Sequence, residues 1–145
     1  MGGCMARNDD YLDHLREVPL FAACSRKELQ RIARATDEAQ LPAGRVLTRQ
    51  GETGRECFVV VDGEVKVERN GRKIASLGPG ACIGELSLLD KGPRTATATA
   101  QSPVTVLVLG PREFAGVLEE VPGLSRKLLS ALASKVRELD KTAYG

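Results

Sequence analysis

The chain is 145 residues long, 42% hydrophobic and 28% charged, with a formal net charge of +2. That length suits one globular domain with a core of its own, and two independent domains would each be marginal. The charge is too mild to argue for an electrostatic nucleic-acid binder, and no apolar run approaches a membrane span.

The opening MGGCMARNDD has no apolar stretch of the kind a secretory signal needs, and Gly2 is followed by Ala6 where a myristoylation motif wants Ser or Thr. A soluble cytoplasmic protein is therefore expected. The four cysteines, Cys4, Cys24, Cys57 and Cys82, form no C-x-x-C pair and match no zinc spacing. They read as free, mostly buried thiols in a reducing compartment, with Cys4 the exposed one.

From Asp9 to about Ala35 the pattern is helical, with Leu12 and Leu15 on one face and a break at Val18-Pro19-Leu20-Phe21. Ser25 and Glu28 have capping-box spacing, and Leu29, Ile32 and Ala33 then supply the apolar face of a second helix. From Thr36 to Leu109 the pattern turns strand-like. Gly and Pro clusters separate Val46–Thr48, Phe58–Val61, Val65–Val67, Lys73–Ala75 and Val104–Leu109, and Asn70-Gly71 is a type I′ hairpin signal. Only Glu85 to Leu89 breaks this zone with about one helical turn. Pro111 suits a first helical turn, Phe114, Val117 and Leu118 share a face, and Pro122-Gly123 separates a final helix reaching about Lys141. Its apolar stripe is Leu124, Leu128, Leu132, Val136 and Leu139, a core or dimer seam. Its basic residues Arg126, Lys127, Lys135, Arg137 and Lys141 read as a solvated face. The expected fold is mainly β with flanking helices. It is an antiparallel β-roll (jelly roll) over 36–109 with N-terminal helices over 9–35, a short helix inside the roll and two C-terminal helices over 110–143, all in one domain spanning 1–145.

The short helix lies in CIGELSLLDKGPRTAT, residues 82 to 97. Glu85 and Arg94 bracket it, and a surface ion pair between them is the plain reading. A ligand with both a phosphate and a hydroxyl is the sharper one. Unpaired N–H groups at a helix start suit a phosphate, and Gly84 permits close approach. Arg94 can grip two phosphate oxygens as Lys cannot. A carboxylate beside a phosphate needs a donor, and a sugar hydroxyl is one, so Glu85 reads as a hydroxyl acceptor. Thr95 adds a hydroxyl near phosphate or base. Thr97 and Thr99 are read simply as strand residues.

This segment resembles the phosphate-binding cassette of cyclic nucleotide-binding domains, the family of catabolite activator proteins and protein kinase A regulatory subunits. The resemblance rests on GELSL followed by LDKGP and RTAT, and extends to PAGRVLTRQGE, FVVVDGEVKV and LGPGACIGE. It implies that Glu85 binds the ribose 2′-hydroxyl beside the Gly84 backbone, and that Leu86 and Ser87 offer backbone N–H groups to the cyclic phosphate. Arg94 would pair with the phosphate oxygens, and Thr95 would contact phosphate and base. It implies cAMP as the ligand, with cGMP the alternative, no cofactor, no metal and no catalysis. The last helix would act as a moving lid or dimer seam, with Leu132, Val136, Leu139 and Tyr144 as lid candidates by spacing. The output would pass to an unknown protein effector, with no direct contact to nucleic acid or membrane.

Rival functions are weaker. A cupin enzyme needs several histidines and this chain has only His14. No nucleophile–base–orienter set stands out, and no cysteine cluster or haem ligand suits a metal sensor. A DNA-binding regulator of the catabolite activator type would need a helix-turn-helix after the last helix, and the sequence ends at Gly145. A stand-alone binding protein, the ligand-binding fragment of such a regulator, and a dimerising module without nucleotide binding are the readings left open.

Overall fold

The computed structural model of the chain describes residues 11–90 and 92–144, the side chains of Leu86 and 141–144 excepted. Cys4 and the predicted helix start at Asp9 lie outside the described residues. Residues 11–17 form helix α1, which buries Leu12 and Leu15 as their spacing predicts. Pro19 then ends the α pattern and starts the 3-10 turn Pro19–Phe21. Helix α2, Arg26–Arg34, begins at the predicted capping box. The Glu28 N–H donates to Ser25 Oγ (3.2 Å) and the Ser25 N–H donates to Glu28 Oε1 (2.7 Å). Leu29 and Ile32 are fully buried beneath it.

Eight strands follow: β1 (Asp37–Leu41), β2 (Val46–Thr48), β3 (Cys57–Asp62), β4 (Val65–Arg69), β5 (Arg72–Leu77), β6 (Cys82–Ile83), β7 (Thr97–Ala100) and β8 (Val104–Leu109). They make two four-stranded antiparallel sheets, in the orders β1-β8-β3-β6 and β2-β7-β4-β5. This is the expected β-roll. Asn70 and Gly71, between β4 and β5, both have positive φ, 54° and 78°, as a type I′ turn requires.

Strands β3 and β8 are covered on both faces, which is why they read as nearly unbroken apolar runs. Alternate residues divide between two cores. Cys57, Val59, Leu107 and Leu109 face a layer of helices, while Val60, Val104 and Val106 face the second sheet. Two strands escaped the sequence reading. β1 is the polar run DEAQL, an edge strand that is mostly exposed or half-exposed, and β6 is only two residues long.

Helix α3 is Pro111–Glu120 and helix α4 is Leu124–Tyr144. Leu124 and Leu128 anchor α4 in the helical core, and Leu132 packs at its margin. The predicted stripe does not stay buried: Val136 is 63% and Leu139 70% exposed, because α4 runs on past the layer that covers its first turns. Its basic residues are not all solvated either. Lys127 Nζ lies 2.5 Å from Glu28 Oε1, tying α4 to α2, and Lys135 pairs with Glu85.

The hydrogen bond from Lys127, followed by that from the Ser25 N–H, holds the Glu28 carboxyl below its ordinary range. A depressed folded-state pKa adds stability that is present above the ordinary carboxylate range and lost as pH falls through the folded value. Glu28→Gln keeps a capping acceptor but removes the charge. Its thermal midpoint should lie below the parent's at about pH 7, and thermal melts should show that gap closing as the pH falls to about 3. A gap that persists in acid would assign the difference to packing instead.

Candidate functional site

Gly84, with φ +80°, turns the chain out of β6 into the 3-10 turn Glu85–Leu88. A Cβ there would stand 2.2 Å from Arg94 Nη1 and 3.0 Å from the Glu56 carbonyl oxygen. Glycine is thus required both by the backbone and by the guanidinium pressed against it. Gly54 meets the same group from the β2–β3 loop, where a Cβ would stand 2.2 Å from Arg94 Nε. That loop also clamps the Arg94 backbone. The Arg94 N–H donates to the Glu52 carbonyl (2.9 Å), the Gly51 N–H donates to the Arg94 carbonyl (2.8 Å), and Thr53 bridges to Pro93.

Arg94 is only 9% exposed, yet among the described residues no carboxylate lies within ion-pair distance of its guanidinium. Nη1 donates to Ser87 Oγ (2.9 Å) and Nη2 to the Glu56 carbonyl (2.8 Å), with the guanidinium carbon 6.0 Å from the Phe58 ring centroid. Burial pulls its pKa below the ordinary arginine value, against the opposing pull of Glu56 and Cys57. Glu85, expected as the other pole of the site, pairs with a different cation. Its Oε1 accepts from Lys135 Nζ on α4, and its Oε2 is buried with no hydrogen-bond partner among the described residues. The plain reading of a Glu85–Arg94 surface ion pair therefore fails, since Arg94 is buried, Glu85 is half-buried, and neither meets the other.

These groups open on one pocket of about 320 Å³, within the ~300–1,000 Å³ usual for small-ligand sites. Gly84, Glu85, Ser87 and Arg94 form its polar end, and Val67, Leu77, Ile83 and Ala98 line it with apolar surface. Thr95 is exposed at the rim, where its carbonyl accepts from Arg69 Nε (3.0 Å). Ser87 differs from expectation. Its N–H closes the turn on the Gly84 carbonyl (3.0 Å) and is engaged there, while its hydroxyl holds Arg94. The Leu86 side chain lies outside the described residues. Of the lid candidates, Leu132, Val136 and Leu139 do not line the pocket, and the Tyr144 side chain lies outside the described residues.

Sequence reasoning missed Gly54, Glu56, Phe58, Arg69 and Lys135. Gly54 belongs to the turn cluster Gly51-Glu52-Thr53-Gly54, but nothing local tied that turn to Arg94. Cys57 and Cys82 also meet beside the pocket, with their Sγ atoms 2.8 Å apart. Hydrogen bonding to Cys57 and then burial hold the Cys82 thiol well above its ordinary range, and burial pushes Cys24 up to about 11. Among the described residues no cluster of three or more His, Cys, Asp or Glu could hold a metal ion, and no helix is long and apolar enough to cross a membrane.

Residues 38–121 match the family model of the cyclic nucleotide-binding domain. The chain belongs to that family. This cyclic nucleotide-binding domain is 31% identical over 131 residues to the cyclic AMP receptor protein of Thermus thermophilus, covering 87% of this chain and 61% of that protein. It is 31% identical over 127 residues to a cAMP-dependent protein kinase regulatory subunit of Hypocrea atroviridis, covering 88% of this chain and 28% of that one. The domain thus spans less than two thirds of these curated relatives. Among solved structures, the N-terminal domain of a transcriptional regulator from Streptomyces coelicolor A3(2) superposes with a TM-score of 0.83 at 38% identity, covering 90% of this chain and 94% of that one.

A buried cation with no counter-anion costs free energy that hydrogen bonds to neutral groups offset only in part. Arg94→Met should therefore leave the ligand-free protein with a thermal midpoint no lower than the parent's. A clear drop in differential scanning calorimetry would show that the guanidinium stabilises the fold.

Proposed function

We propose that this domain binds a cyclic purine nucleotide reversibly, with cAMP as the ligand and no chemical turnover. The observation that carries the reading is a buried Arg94 with no ion-pair partner among the described residues, facing the same pocket as the unpartnered Oε2 of Glu85. A cyclic phosphate supplies the one negative charge the guanidinium lacks, a ribose 2′-hydroxyl supplies the donor the carboxylate lacks, and the apolar wall takes the base. No cofactor or metal enters this reading. The names of the receptor and kinase-subunit relatives favour cAMP.

Arg69 favours a second reading. Its guanidinium lines the pocket beside Thr95, and a guanidinium suits the adjacent N7 and O6 acceptors of guanine. On that ground cGMP is the alternative ligand. For output, binding would shift α4 between two positions by the ligand's differential affinity for them. The exposed Leu129, Val136 and Leu139 give that helix an apolar flank suited to a second copy of the chain, as part of a regulator or a stand-alone sensor. Sedimentation at rising concentration reads this directly, and a monomer throughout, with or without nucleotide, removes the dimer.

Calorimetric titration with cAMP and cGMP tests the ligand. One-to-one binding is expected, and the tighter ligand decides between the two bases. Arg94→Ala should cost about 2–5 kcal/mol of binding free energy, because it leaves the bound phosphate buried and unpaired. Unchanged affinity in that variant would overturn the assignment.

A further inference from the structure

Lys135 lies on α4, outside the pocket lining, and reaches the pocket through its ion pair with Glu85. A carboxylate has two acceptor oxygens, and here they are in opposite situations. Oε1 is taken by the Lys135 ammonium, while Oε2 is buried and unpartnered. The Glu85 side chain is only 15% exposed. Without Lys135 it would be a nearly buried carboxylate with no partner, and it would turn toward water. With Lys135 in place it keeps its orientation, and Oε2 stays free to accept. The pairing has a second effect. An anionic ligand entering beside a bare carboxylate is repelled, and an ammonium on the far oxygen offsets that repulsion.

The geometry points to Lys135 as the positioning residue that sets this site's preference for a sugar carrying a 2′-hydroxyl over its 2′-deoxy counterpart. Because Lys135 rides on α4, the same contact ties the ligand's sugar to the position of that helix. The inference rests on the cyclic-nucleotide reading of the pocket and adds to it a residue from outside the cassette. It differs from two simpler roles for the same ion pair. As a plain tether of α4, Lys135 would affect all ligands alike. As a competitor for Glu85, it would weaken binding of the hydroxyl-bearing ligand.

The experiment measures dissociation constants for cAMP and 2′-deoxy-cAMP on the parent chain and on Lys135→Ala, Lys135→Gln and Lys135→Arg. Circular dichroism shows which variants fold, and the glutamine and arginine variants carry the test should the alanine variant fail. The parent should prefer cAMP. The alanine and glutamine variants should lose about tenfold or more for cAMP, the scale of a hydrogen bond to a charged group, and little for the deoxy analogue. Their preference should therefore collapse toward one, and Lys135→Arg should restore it. Equal losses for both ligands would leave Lys135 a tether and overturn the inference, as would tighter cAMP binding in the neutral variants. A parent that binds both ligands but without preference overturns it too, leaving nucleotide binding intact. A parent that binds neither removes the functional reading and this inference together.

Discussion

A guanidinium taken out of water with no carboxylate to meet it is costly, and the arrangement around Arg94 follows from that cost. Gly54 and Gly84 give up their side chains to make room for it. The Glu56 carbonyl and the Ser87 hydroxyl accept two of its N–H groups, and Phe58 offers a ring face. The β2–β3 loop holds the Arg94 backbone by two main-chain hydrogen bonds. Among the described residues both of its hydrogen-bond acceptors are neutral, so no ion pair compensates the positive charge. A carboxylate at the position of Ser87 would satisfy the cation, and the described residues place a hydroxyl there instead.

The rest of the molecule can be read as support for that arrangement. The inter-sheet core fixes the relation between β3, which carries Phe58, and β7, which follows Arg94. The helical core on the outer face of the first sheet fixes the root of α4 through Leu124 and Leu128. Two ion pairs then hold that helix at separate points, Lys127 on α2 and Lys135 on the cassette. The first joins helix to helix and is indifferent to the pocket. The second ends on a group that lines it. A helix held in this way has a firm base and a distal contact that ends on the pocket.

The sequence made much of this legible, for physical reasons that differ from place to place. The capping box was readable because both of its partners are local and both of its hydrogen bonds are made by adjacent turns. The Asn70-Gly71 turn was readable because few residue pairs tolerate two positive φ angles. β3 and β8 announced themselves through burial on both faces. β1 did not, since an edge strand of DEAQL is held by main-chain bonds to β8 and little by its side chains. In the site, the cassette was visible because its parts are near one another in sequence. Glu56, Gly54 and Lys135 reach the site through space from other elements, and no periodicity records such contacts. Ser87 shows a subtler limit: its place in the cassette was clear, but the use of its hydroxyl depended on where the guanidinium came to rest.

The distance along the chain between the β2–β3 loop and Arg94 has a consequence for the order in which the protein is made. Glu56 and Arg94 are separated by 38 positions, and the loop that their contact closes contains four strands and the cassette turn. Closing such a loop carries an entropy cost that must be met before the contact returns anything. The cassette segment by itself can form its turn early, from neighbours in sequence, but it has no seat for a guanidinium until β3 and β7 have come together across the roll. The pocket around Arg94 is thus a product of completed folding. A nascent or partly unfolded chain lacks it, and a ligand that fits it selects for the finished molecule over every intermediate.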